Sequence, residues 1–176
     1  MIAGMEKVIE DAPTRSCPNG VVINMSFGIS TTQGVNDAAA ALVDAGYFAV
    51  AAAGNGDIFG NPVDAAGFSP AAEPSICTVG ATAIDDTTAY FSNYGEVVDI
   101  YAPGVDVEST VPGGGTGSKS GTSMAAPHVA GLGAYFLSLG QSAGGLCEYL
   151  AGIGLEGVID GVPSGTKNIL AQNGEA

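Results

Sequence analysis

The sequence predicts an α/β fold built on parallel strands, and three observations carry that expectation. Two apolar strand-like runs, Val21 to Met25 and Tyr47 to Ala53, flank a helix-like segment from Gln33 to Ala45. Strand, helix, strand in that order is a βαβ unit, with parallel strands and a right-handed crossover. The 28 glycines and the recurring alanine runs suit helices packed closely on a sheet, with many tight turns. Polar, glycine-containing turns follow both strands, at Ser26-Phe27-Gly28 and Gly54-Asn55-Gly56, and in parallel sheets ligands bind beyond the strands' carboxyl ends.

Taken in order, residues 1–12 read as the end of a helix, with Ile2, Met5, Val8 and Ile9 on one face and no N-cap ahead of Met1. Pro13 to Gly20 is a loop, followed by the first strand. In the crossover helix Val35, Ala38, Ala39, Leu42 and Val43 share a side, and Gly46 is placed to end it. A long loop covers Asp57 to Pro74. Further strands are expected at Ile76 to Ala81 and Val97 to Tyr101, then a glycine-rich loop from Gly113 to Gly121. That loop leads into a strong helix over Ser123 to Leu139. A shorter helix over Gly145 to Ala151 and a final strand at Lys167 to Ala171 complete the chain. No internal repeat or linker divides it, so residues 1–176 read as one domain-sized unit.

Composition narrows the function. Apolar residues make up 46%, enough for a sizeable core. Four Lys plus Arg stand against 18 Asp plus Glu, a formal charge of −14, so nucleic acid and anionic membranes are poor partners. Divalent cations are compatible with such a surface, which is equally an ordinary solvated acidic face. No apolar run approaches the ~20 residues of a membrane span, and no basic-then-apolar leader begins at Met1. The three cysteines, Cys17, Cys77 and Cys147, leave one unpaired within the chain or pairing outside it.

The chemistry concentrates in Gly121-Thr122-Ser123-Met124-Ala125-Ala126-Pro127-His128-Val129-Ala130-Gly131. A serine here stands at the mouth of a helix, after a flexible loop. Unpaired N–H groups at a helix N-terminus carry partial positive charge and can stabilise an oxyanion. Pro127 is expected in the first turn, where its missing N–H costs little. By itself such a serine is as easily an N-cap. The lone histidine, His128, lies five residues on along the same helix, which turns it away from the Ser123 hydroxyl. A Gly-x-Ser-x-Gly elbow and a phosphate-loop order are both absent. Asp85-Asp86 reads as a turn rather than a metal site. Asn24-Met25-Ser26 matches a glycosylation sequon but falls in an expected buried strand.

The full string around Ser123 resembles the active-serine motif of the subtilisin superfamily, and other segments match that family in order. Ser26-Phe27-Gly28 resembles its substrate-backbone segment beside the first specificity pocket, and Ala52-Ala53-Gly54-Asn55 the segment bearing its oxyanion-hole asparagine. Ser69-Pro70-Ala71, Phe91-Ser92-Asn93-Tyr94-Gly95 and Ala102-Pro103-Gly104 extend the likeness, which is strongest to the proteinase K branch. The resemblance implies a three-layer sandwich with a mostly parallel sheet, here without its N-terminal strands. It implies a serine endopeptidase in which Ser123 is the nucleophile and Asn55 and the Ser123 N–H hold the oxyanion. Ser26, Phe27, Gly28, Ala52, Ala53 and Gly54 would bind a polypeptide substrate, with no cofactor in catalysis. His128 matches a structural histidine of the family.

The family's Asp and His motifs lie upstream of the matched region, and neither Asp-Thr-Gly nor His-Gly-x-x-His occurs here. The chain alone is therefore expected to be inactive, because a serine without a base is a poor nucleophile. The opening of the chain within a helix suggests a fragment whose N-terminal part supplies both residues. A two-chain enzyme and a non-catalytic peptide-binding remnant are the alternatives. By the same resemblance Cys77 and Cys147 form a disulfide, and the usual partner of Cys17 lies upstream. A structural calcium would sit on Asp99 with the carbonyls of Pro74 and Ile76. Extracellular location is implied by the family and the disulfide.

Overall fold

A computed structural model of the chain describes residues 1–174. In chain order the elements are α1 (Ile2–Asp11), β1 (Val22–Met25), β2 (Ile29–Ser30), α2 (Gln33–Asp44), β3 (Phe48–Ala52), β4 (Phe68–Ser69), β5 (Cys77–Thr82) and β6 (Ile100–Pro103). They continue with β7 (Val107–Thr110), β8 (Thr116–Lys119), α3 (Thr122–Ser138), α4 (Leu146–Ile153), β9 (Leu155–Glu156) and β10 (Ile169–Leu170). The central sheet runs β1-β3-β5-β6-β10-β9, parallel throughout except for β9.

Alternation along the buried strands builds the three layers. On β3, Phe48, Val50 and Ala52 point to one side, where they join Val79 and Ala81 of β5 and Ile100 of β6. Ala125, Val129, Phe136 and Leu150 of α3 and α4 cover that side. Ala49 and Ala51 point the other way, to Met5 of α1 and Val35, Ala39 and Leu42 of α2. A third cluster, around Ala53, Ala65, Val98, Tyr101 and Ile159, continues that second face beyond the helices. Small residues let α3 lie close to the sheet. At Gly133 an added Cβ would stand 2.4 Å from the Phe48 ring.

Local chemistry explains most boundaries. Helix α2 ends in a Schellman arrangement, with Gly46 N–H on the Val43 carbonyl (2.8 Å) and Tyr47 N–H on the Leu42 carbonyl (3.2 Å). The structure corrects the expected strand at 97–101, which forms three residues later at Ile100–Pro103. Val98 instead closes a turn on the Gly95 carbonyl at 3.0 Å, and Asp99 bonds across to Thr78. The expected glycine-rich loop over 113–121 is largely a hairpin, since β7 and β8 pair around Gly113-Gly114-Gly115. Strand alternation is hard to see there because β8 is Thr-Gly-Ser-Lys. The short antiparallel pair β2–β4 was not anticipated either.

Asp85-Asp86 is a turn, with the Asp85 carboxylate accepting from the Thr87 hydroxyl at 2.7 Å. Among the described residues strand β1 forms one edge of the central sheet and β9 the other. Beside β1, Met1, Met5, Ile23, Met25 and Phe27 line an apolar groove of about 290 Å³. Among the described residues, no helix is long and apolar enough to cross a membrane.

Candidate active site

The carboxyl ends of β1 and β3 and the N-terminus of α3 meet around a cavity of about 160 Å³. Phe27, Gly28, Ala52, Gly54, Asn55, Phe68, Thr122 and Ser123 line it. The parallel sheet dictates this meeting, because adjacent parallel strands put their following turns at one end.

Ser123 is the second residue of α3, which begins at Thr122. Pro127 is therefore the helix's sixth residue and lies in the second turn, a correction to the first-turn expectation. Its absent N–H would have bonded the carbonyl four residues back, that of Ser123. The Ser26 hydroxyl fills the gap and donates to the Ser123 carbonyl at 2.8 Å. The Ser123 hydroxyl donates in return to the Ser26 carbonyl at 3.1 Å. Asn24 holds the Ser26 hydroxyl from behind, its side-chain amide donating at 2.9 Å. Ser26 is thus joined to Ser123 by two bonds, one for each partner's carbonyl.

Asn55 is oriented by Thr122. Its Oδ1 accepts the Thr122 N–H at 2.8 Å and the Thr122 Oγ1–H at 2.9 Å. Because a backbone N–H can only donate, the oxygen of the Asn55 amide must face Thr122 and the Nδ2 end is left for another acceptor. Thr122 Oγ1 also accepts the Gly54 N–H at 3.1 Å, so one fully buried hydroxyl joins the turn after β3 to the start of α3. The N-terminus of the 17-residue α3 adds partial positive charge at the same point.

Behind this turn stands Asn93, also fully buried. Its Nδ2 donates to the Ala53 carbonyl at 2.9 Å, and its Oδ1 accepts the N–H groups of Gly56 (2.9 Å) and Val63 (3.1 Å). Gly54 takes a φ of +101°, and a Cβ there would lie 2.4 Å from Asn93 Nδ2, so only glycine fits.

The structure brings Ser123, Asn55, Phe27, Gly28, Ala52 and Gly54 to one cavity, with Ser26 bonded to it. Ala53 stands apart from its expected place. It has no exposed surface and packs into the Tyr101 cluster on the opposite side of the sheet. Period-two alternation sends its side chain away from the face that Ala52 shares. Thr122, Asn93 and Phe68 belong to the site and carried no role in the sequence reading. Thr122 and Asn93 lie inside segments that resemble the family, and Phe68 directly precedes another, Ser69-Pro70-Ala71.

His128 lies on the exposed side of α3, and its Nδ1–H donates to the Met124 carbonyl of its own helix at 2.8 Å. Asp99, Pro74 and Ile76 line a different cavity that shares no residue with this one. Cys77 and Cys147 are joined by a disulfide, with Cα atoms 5.5 Å apart, while Cys17 is exposed and free.

Comparison with known proteins gives the family and the fold. The model of the subtilase family matches residues 2–145. Proteinase T of Parengyodontium album is 54% identical over 175 residues, covering 99% of this chain and 58% of that protein. The cuticle-degrading protease of Metarhizium anisopliae is 51% identical, over 99% of this chain and 44% of that protein. The chain thus spans about half the length of these relatives. The crystal structure of a cold adapted subtilisin-like serine proteinase superposes with a TM-score of 0.86 at 34% identity, over 96% of this chain and 59% of that one. With that family model covering most of its length, and relatives of this identity matching 99% of it, the chain belongs to the subtilase family of serine proteases.

Proposed function

We propose that this chain carries the nucleophile and the oxyanion site of a secreted serine endopeptidase whose substrates are polypeptides. The observation that carries the reading is the junction of Ser123, Thr122 and Asn55 at one cavity mouth, with the Asn55 amide nitrogen turned outward by its two bonds from Thr122.

Ser123 Oγ adds to the carbonyl carbon of the scissile bond, and the hydroxyl proton passes to a base. The carbonyl oxygen becomes an oxyanion, met by Asn55 Nδ2 and the Ser123 N–H. The tetrahedral adduct then collapses, breaking the C–N bond. The proton passes to the departing amine, and the acyl group stays on Ser123. Water attacks the ester and regenerates the hydroxyl. Ser26, Phe27 and Gly28 bind the substrate backbone, and Ala52, Gly54 and Phe68 leave room for an apolar side chain ahead of the cleaved bond. No step needs a cofactor.

The base is not among these residues. His128 is the chain's one histidine, and its ring is committed to Met124. The base and its orienting acid come from further sequence of the same protease. The open edge of β1 and the apolar groove beside it are where that sequence would pack. The isolated 176-residue chain is accordingly inactive.

A fluorophosphonate probe tests this directly. In the intact protein the adduct should map to Ser123 and vanish in Ser123→Ala, while the isolated chain stays unlabelled. Labelling elsewhere, or peptide hydrolysis that survives Ser123→Ala, overturns the assignment. Serine-dependent hydrolysis by the isolated chain refutes its inactivity.

A further inference from the structure

The calcium that the family resemblance implies would sit on Asp99, and the residues around Asp99 do not fit it. Asp99 lines an open cavity of about 430 Å³ together with Pro74, Ser75, Ile76 and Lys167. Both of its carboxylate oxygens are engaged. Oδ1 accepts from Lys167 Nζ at 2.7 Å, and Oδ2 accepts the Thr78 N–H at 3.0 Å. A calcium ion needs six to eight oxygen ligands and gathers net negative charge. Glu148 also lines the cavity, but in the expected set of Asp99 with the Pro74 and Ile76 carbonyls the one carboxylate already carries an ammonium. The disulfide sulfurs of Cys77 and Cys147, which lie within 4.8 Å of the Asp99 carboxylate, are covalently bonded to each other and are no substitute for oxygen donors.

We infer that Lys167 is a built-in cation that takes the Asp99 carboxylate in place of a metal ion, so that this end of the sheet holds together without calcium. The contacts suit that role. Lys167 lies two residues before β10, next to β6 in the sheet, and Asp99 immediately precedes β6. The ion pair therefore ties the starts of these two neighbouring strands. Asp99 in turn bonds Thr78 of β5 through both its carboxylate and its own N–H, which donates to the Thr78 carbonyl at 2.9 Å. The chain's own ammonium thereby links three adjacent strands at one end of the sheet. Unlike an ion, it cannot be removed by a chelator.

The test is the calcium response of the intact protein after metal stripping, with thermal unfolding followed with and without CaCl₂. Wild type and Asp99→Asn should respond identically, which subtracts calcium held anywhere else on this acidic protein. Lys167→Met should gain a response, a rise in Tm on the order of 3–6 °C with free calcium at ten times its Kd. The gain should vanish in the Lys167→Met, Asp99→Asn double variant. A larger calcium response in wild type than in Asp99→Asn overturns the inference, because the ion then binds Asp99 despite the lysine. An unchanged response in Lys167→Met overturns it too, because the ammonium is then not what holds the place. The Thr78 amide resonance reads the same site with no substitution. It should stay fixed as calcium is added, and a saturable shift rejects the assignment.

Discussion

Tyr101 provides the sharpest test of the packing described above. Its side chain is fully buried on the face of the sheet away from α3, among Ala53, Ala65, Val98 and Ile159. The ring lies over Gly80, where a Cβ would come within 2.4 Å of it. The hydroxyl has no hydrogen-bond partner among the described residues. An unsatisfied buried polar group costs about 1–3 kcal/mol, and removing only the oxygen leaves a void of a single atom. Tyr101→Phe should therefore raise stability by about 1 kcal/mol at pH 8.

The pH dependence carries a second sign. Burial raises the Tyr101 pKa from 10.0 to about 12. A folded-state pKa above the unfolded one gives stability that is fully present below the unfolded value and lost as pH rises through the folded value. Wild type thus loses stability between about pH 10 and 12 through this group, and the Phe variant does not. With those two values the variant's advantage grows by about 1.4 kcal/mol between pH 8 and 11. Urea unfolding of both proteins at the two pH values measures it. The difference between them cancels the other tyrosines and lysines. A destabilised variant would mean that the hydroxyl has a partner in the fold, and an advantage that does not change with pH would mean that burial does not raise its pKa; either refutes the reasoning.

Other substitutions probe the site and its frame. Ser26→Ala strands the Ser123 carbonyl that Pro127 cannot serve and should cost about 1–3 kcal/mol. Pro127→Ala restores a helical N–H there, so a double-mutant cycle in chemical denaturation should show coupling of about 1 kcal/mol; strict additivity would argue against the bracket. In the intact protein Asn55→Leu should lower kcat by about 10²–10³ with little change in KM, the scale set by losing one oxyanion donor in subtilisin. Thr122→Val should produce a smaller loss of the same kind by removing one of the two bonds that orient the Asn55 amide, and unchanged kcat would deny it that role. Replacing Cys77 and Cys147 by alanine opens a 70-residue loop and should cost about 4 kcal/mol in the chain-entropy account, read as a lower urea midpoint.

Much of this protein was legible in its sequence, for local physical reasons. The βαβ unit showed because β3 is apolar at every position and α2 keeps a helical apolar stripe closed by Gly46. The Ser123 segment and the Asn55 turn showed because their order along the chain is distinctive. Other features depend on partners far away in sequence. Ala52 and Ala53 are chemically identical neighbours, and only the pleat of β3 decides which one meets the cavity. The β7–β8 hairpin escaped because its glycines and serines carry no alternation, yet its pairing is regular. The strand at 100–103 slipped past the apolar pair Val97-Val98 because Gly95 turns that pair out of the sheet.

The chain by itself marked the candidate site residues: Ser123 at a helix start, Asn55 after a strand, one histidine badly placed to be a base. Tertiary structure decided what those residues are bonded to. Asn55 gains its orientation from Thr122, 67 positions away, and Ser123 has its carbonyl served by Ser26, 97 positions away. Lys167, expected only as the start of the final strand, donates to Asp99, 68 positions earlier, the residue on which a calcium was expected. Spacing and periodicity act over a few residues, whereas these hydrogen bonds and charges act through space and exist only once the parallel sheet has set its strands side by side.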